Sequence, residues 1–182
     1  MSPPVLSEAL HARAREFMSR YPQKRSALIL VLHAAQDEVG HITDDVVREV
    51  AGLFELSAAD VAGVVTFYTM FKRDHPGRFL ISLCTQSACA FAGADGAVEK
   101  LRELVGAEHA TTDDGAMSWE EVECLAFCSA APAAQVNYRD VPNLTADRAE
   151  RLCGALRAGR ELPEVLDELR ADAKPPEVPA DA

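Results

Sequence analysis

Four cysteines stand in two short pairs, Cys84-x4-Cys89 and Cys124-x3-Cys128, and each pair follows a segment patterned as a short strand. Phe79-Leu80-Ile81-Ser82-Leu83 is an apolar run that ends at Cys84, and Met117 to Val122 reads as a second strand ending just before Cys124. Loops that leave a rigid sheet hold their side chains with little freedom. Two such loops can present four ligands with little reorganisation.

Four convergent thiolates are what a [2Fe–2S] cluster requires, two for each iron. The stretch Thr85-Gln86-Ser87-Ala88 reads as a loop that can turn backbone N–H groups towards an anion, and a helix after Gly93 adds the positive end of its dipole. A structural zinc site of four cysteines is the nearest rival, although zinc ribbons generally use tighter C-x2-C knuckles. Unliganded thiols are the third reading. A Rieske centre needs two histidines, and none of the five histidines adjoins a cysteine pair. A plant-type ferredoxin run would put a third cysteine where Ala92 stands, and a thioredoxin-type redox pair would be C-x2-C. Cys153 lies on an apolar helix face with Leu152 and Leu156 and reads as a buried structural residue. His33, His41 and His75 read as packing or capping residues, with no role in binding.

Bulk properties narrow the classes further. A net charge of −11 argues against nucleic acid or an anionic membrane surface as the partner. No apolar run approaches the length of a membrane span, the longest lying around Ala27–Leu32. The start of the chain lacks a secretory pattern, and Glu8 and Glu16 interrupt the basic stretch that would suggest a transit segment. Five cysteines without an export signal argue against a disulfide framework, so a reducing cytoplasm is expected.

The periodicity changes near Pro76-Gly77. Before it, Leu6, Leu10, Ala14, Phe17, Met18 and Tyr21 form a helical stripe stopped by Pro22, and a second helix is expected from Arg25 to about Glu38. Thr43 caps a third, and Ser57 caps a fourth running to about Phe71. After Gly77 the pattern predicts strand, helix (about Ala94–Val105), strand, a hairpin turned at Tyr138-Arg139-Asp140, and a last helix from about Ala146 to Ala158. The expectation is an α+β chain: a helical bundle over 1–76, a thioredoxin-like α/β domain over 77–170, and a disordered tail over 171–182.

Tyr21-Pro22, Gln36 with Gly40, Gly63 before Thr66-Phe67-Tyr68, Pro76-Gly77, Cys84-x4-Cys89-x3-Gly93, Glu123-Cys124-Leu125 with Cys128, Ala131-Pro132 and Val136-Asn137 together carry a resemblance. Over about residues 6 to 165 the chain resembles the family of 24-kDa-type subunits of the NADH-dehydrogenase module of respiratory complex I. The resemblance implies a thioredoxin-like domain holding one [2Fe–2S] cluster on Cys84, Cys89, Cys124 and Cys128. It implies an electron-transfer role in an NADH:quinone oxidoreductase, beside a flavoprotein subunit that binds FMN and NADH and other peripheral-arm subunits. The helical half would dock that flavoprotein, and the assembly would lie at the inner face of the cell membrane without direct insertion. This chain itself carries no G-x-G-x-x-G or P-loop, in keeping with an accessory redox subunit of an enzyme complex. One departure stands out: the family usually has glycine after the leucine of the second pair, where this chain has Ala126. A positive φ there would cost alanine on the order of 1 kcal/mol and shift an N–H aimed at sulfur. The runner-up is the diaphorase subunit of an NAD-linked hydrogenase or formate dehydrogenase, and a zinc-stabilised, non-redox scaffold is the reading from another class.

Overall fold

Short hydroxyl side chains and one left-handed glycine set most of the helix ends in the first half of the chain. The computed structural model describes residues 5–173. In it, α1 (Glu8–Ser19) starts at Ser7, whose Oγ accepts the Leu10 N–H at 3.1 Å. A 3-10 turn at Lys24–Ala27 leads into α2 (Leu28–Val39), which ends at Gly40 with φ +89°, a conformation that glycine enters without steric cost. Thr43 Oγ1 accepts the Val46 N–H to open α3 (Asp44–Phe54), whose first turn carries Asp44 and Asp45 at the positive end of the dipole. Ser57 and Asp60 cap α4 (Ala58–Phe67) reciprocally, each side chain taking the other's backbone N–H. Leu10, Ala14, Leu28, Val31, Leu32, Val46, Val50, Phe54, Val61 and Val65 form the shared core of these helices.

The fourth helix stops four residues before the expected Phe71, because Tyr68 is already extended. Thr66 Oγ1 bonds back to the Ala62 and Gly63 carbonyls, which competes with continuing the helix. Beyond it the buried Gln36 amide takes over, donating to the Met70 carbonyl at 2.9 Å and accepting the Lys72 N–H at 2.7 Å. The Lys72 carbonyl in turn accepts the Ile42 N–H at 2.7 Å. Gln36 thus fastens the chain's exit from the helices to α2.

Contacts divide the chain into two compact units, the boundary falling between His75 and Pro76. The second unit runs β1 (Phe79–Cys84), α5 (Ser87–Phe91), α6 (Ala94–Leu104), β2 (Met117–Val122), β3 (Ala134–Val136), β4 (Arg139–Val141), α7 (Ala146–Arg157) and α8 (Leu162–Ala171). The sheet order is β2-β1-β3-β4. β1 and β2 are parallel, from Phe79 opposite Met117 to Cys84 opposite Val122, and α6 lies in the crossover that a parallel pair requires. β3 and β4 are antiparallel. Ile81, Leu83, Met117 and Trp119 alternate into a core with Leu101, Leu152 and Leu166. The architecture is mixed α+β, N-terminal helices followed by a four-stranded mixed sheet with helices, consistent with the thioredoxin-like fold. Among the described residues no single helix is long and apolar enough to cross a membrane.

Further local expectations differ from the structure. Cys89 lies in the short helix α5 rather than in a loop, its N–H bonded to the Gln86 carbonyl at 2.8 Å. The hairpin turns at Asn137-Tyr138, both with positive φ, one residue earlier than expected; asparagine tolerates that conformation. The last helix expected from the sequence ends at Ala158, whereas α8 follows, with Leu162, Val165, Leu166 and Leu169 buried at helical spacing and Pro163 in the first turn, where its missing N–H costs nothing. Order runs past residue 170, with Asp172 paired to both Arg148 and Arg151 at 2.6 Å. The remainder of the expected tail, 174–182, lies outside the described residues.

Replacing Gln36 by alanine removes two buried hydrogen bonds, and the expected loss is about 1–3 kcal/mol of unfolding free energy. Urea denaturation checks this, with Gln36→Glu, which sets a buried carboxylate oxygen against the Met70 carbonyl, losing at least as much.

Candidate metal centre

The parallel register of β1 and β2 sets the geometry of the site. Cys84 ends β1 opposite Val122, the last residue of β2, so Cys89 on α5 and the segment from Cys124 to Cys128 leave the same end of the sheet. Cys84 and Cys89 are buried, each 2% exposed, while Cys124 and Cys128 are exposed. Ala94, Ala131 and Ala133 pack round the buried pair, with Leu125 and Phe127 of the second loop against them. Because Ala94 opens α6, the N-terminal end of that helix sits beside the thiols.

Backbone N–H groups converge on sulfur. The Ala133 N–H donates to Cys89 Sγ at 3.4 Å, and the Ala126 N–H to Cys124 Sγ at 3.3 Å. Burial pushes the Cys84 thiol up, but N–H groups of Gln86 and Leu125 and the Cys89 thiol all favour its anion, and the net result is below the ordinary range. Burial pushes Cys89 up, only partly offset by Ala133, and the neighbouring sulfur of Cys84 adds to the rise. The two thiols are thus shifted in opposite directions, Cys84 down and Cys89 up. Cys128 lies near enough to Cys89 for its charge to be felt there. Among the described residues no three His, Cys, Asp or Glu side chains meet as a closed metal-ligating set. The structure thus brings Cys84 and Cys89 together, sets Cys128 near them, and leaves Cys124 exposed on the adjoining loop.

This donor set suits a thiolate-ligated iron–sulfur cluster. All four candidate donors are sulfur, and N–H groups point at three of them, the pattern that supports an anionic cluster. Ala133 has no signal in the sequence because its contribution is made by its backbone, which no side-chain pattern announces. Cys153 is fully buried in the main core and its thiol is pushed up to about 11 by burial, so it is neutral and sequestered. His41 and His75 pack ring to ring at 5.6 Å, and His33 packs on Phe71.

Ala126 adopts φ +56°, the left-handed conformation that alanine enters only at a cost of about 1–2 kcal/mol. The cost is retained where its N–H meets Cys124 Sγ. Ala126→Gly is expected to raise stability by about 1 kcal/mol, read as a higher urea midpoint at unchanged slope. An unchanged or lower midpoint would show that the loop carries no such strain.

Comparison with known proteins bears on the family to which the chain belongs. The family model for thioredoxin-like [2Fe–2S] ferredoxins matches residues 14–157. The E-type subunit of the NADH-quinone oxidoreductase of Mycobacterium bovis is 37% identical over 157 residues, covering 86% of this chain and 62% of its own length. The chain thus spans less than two thirds of that relative. The HndA subunit of an NADP-reducing hydrogenase from Solidesulfovibrio fructosivorans is 33% identical over 81% of this chain and 87% of its own. A chain of an NAD+-reducing [NiFe]-hydrogenase superimposes with a TM-score of 0.69 over 79% of this chain and 24% of its own; at 23% identity that speaks to the fold alone.

Proposed function

The chain belongs to the thioredoxin-like [2Fe–2S] ferredoxin family, and from that premise we propose that it is the electron-transfer subunit of an NADH:quinone oxidoreductase, holding one [2Fe–2S] cluster on Cys84, Cys89, Cys124 and Cys128. The observation that carries this reading is the convergence of both cysteine pairs at one end of adjacent parallel strands, with backbone N–H groups aimed at their sulfurs. A bound cluster of this kind supplies reversible one-electron transfer. The chain's own residues supply the rest. Burial of Cys84 and Cys89 keeps water from one side of the centre, and the N–H groups of Gln86, Leu125, Ala126 and Ala133 stabilise negative charge on sulfur. The exposed Cys124 and Cys128 put the other side at the surface, where a partner's redox centre can come close.

In this reading FMN and NADH bind a partner flavoprotein, and the helical unit before Pro76 is the docking element for it. Other peripheral-arm subunits complete the assembly at the inner face of the cell membrane. Similarity to the hydrogenase subunit HndA supports a second reading, in which the same module feeds or drains a hydrogenase. The two are separated by which large subunits copurify with the chain from its host.

The ligand assignment is tested by iron content and visible absorption after anaerobic purification. About two irons per chain are expected. Cys84→Ser is expected to lose nearly all of them, since oxygen is a poor substitute for soft thiolate, and Cys153→Ala is expected to keep wild-type iron and colour. Full iron in Cys84→Ser removes that residue from the ligand set; stoichiometric zinc with no iron in the wild type replaces the redox reading with a scaffold.

A further inference from the structure

Between β4 and α7 stands a buried asparagine that neither the cysteine pattern nor the family assignment singles out. Asn143 is 7% exposed and has φ +50°. Its Nδ2 donates to the Ala131 carbonyl at 2.9 Å, its backbone N–H to the Ala130 carbonyl at 2.8 Å, and the next N–H, of Leu144, to the Pro132 carbonyl at 2.7 Å. Two adjacent residues therefore hold three successive carbonyls of the segment that leaves Cys128. The residue after that segment, Ala133, meets both buried cysteines: its carbonyl accepts the Cys84 N–H at 2.9 Å and its N–H donates to Cys89 Sγ.

We infer that Asn143 is a positioning residue for the cysteine centre, holding the Ala130–Ala133 backbone so that the Cys128 loop and the N–H on Cys89 keep their places against Cys84 and Cys89. The residue type follows from two demands made at one position. The backbone needs a left-handed conformation, which asparagine accepts more readily than most residues, and the Ala131 carbonyl needs a donor. Glycine meets the first demand and lacks the donor; aspartate has the shape but presents oxygen in place of the N–H2 group. The inference rests on the proposed ligand set where it concerns a cluster, and on geometry alone where it concerns the buried thiols.

Asn137 provides a matched control within the same unit. It too has positive φ, +48°, and its side chain accepts the Leu80 N–H and donates to the Arg78 carbonyl, both at 2.8 Å, near the start of β1 and away from the cysteines. The test compares Asn143→Gly and Asn137→Gly in the full chain. Losing the Asn143 bond is expected to speed iron removal by a chelator about fivefold or more and to shift the EPR g-values of the reduced protein, while Asn137→Gly changes neither, although it is destabilised as much or more in urea. In protein stripped of iron, alkylation of Cys84 and Cys89 is expected to be faster by a similar factor in Asn143→Gly only. Wild-type chelation and alkylation rates in Asn143→Gly, or equal changes in both variants, would overturn the inference. If Asn143→Gly does not fold, Asn143→Asp gives the same comparison. Should the wild type hold no iron, the ligand assignment fails, and the alkylation rates still decide the role of Asn143.

Discussion

The parallel pairing of β1 with β2 is the constraint on which the rest of the second unit depends. It runs in unbroken register from Phe79 and Met117 to Cys84 and Val122. Because the strands point the same way and end level, the loops that follow them emerge side by side. An antiparallel pair would have sent the two cysteine pairs to opposite ends of the sheet. The same pairing requires a crossover, and α6 lies in it, with Ala94 at its N-terminal end packed beside the thiols and Leu101 in the core. Sheet topology, core and candidate site thus share one cause.

The site built on that register is asymmetric. One cysteine pair is sealed among alanines and the other lies at the surface. Small side chains at Ala94, Ala131 and Ala133 let the backbone come near the sulfurs, so hydrogen bonds to sulfur come from peptide N–H groups and involve no bulky polar residues. A rigid, dry side and an exposed side suit a carrier that must reorganise little and still lie within reach of a partner. The strain at Ala126 falls on the exposed side, next to Cys124, where one N–H is held on sulfur through a conformation that alanine ordinarily avoids.

Much of this is legible in the sequence because strong local signals agree. Thr43, Ser57 and Gly40 mark helix ends by chemistry that acts within a few residues, and the apolar run Phe79–Leu83 and the segment Met117–Val122 fall on observed strands. The positive φ at Ala126 can be anticipated only as a condition, from the family's glycine. What the sequence does not announce depends on partners distant along the chain or on backbone atoms. The path of the chain beyond α4 is held by Gln36 reaching across more than thirty residues to Met70 and Lys72. Cys89 enters α5 through backbone bonds of a single turn, and the bonds made by Ala133 have no side-chain signature. The helix α8 differs in kind: its apolar spacing is present in the sequence, but Gly159 and Pro163, residues that commonly end structure, here mark a turn and a new first turn.

The most direct test of the central claim, that the chain is a one-electron iron–sulfur carrier, is low-temperature EPR on anaerobically purified protein before and after dithionite, with iron and zinc measured on the same sample. A silent oxidised state, one spin per chain on reduction, and about two irons are expected. A silent reduced state with zinc in place of iron, persisting after attempted cluster reconstitution, would contradict it.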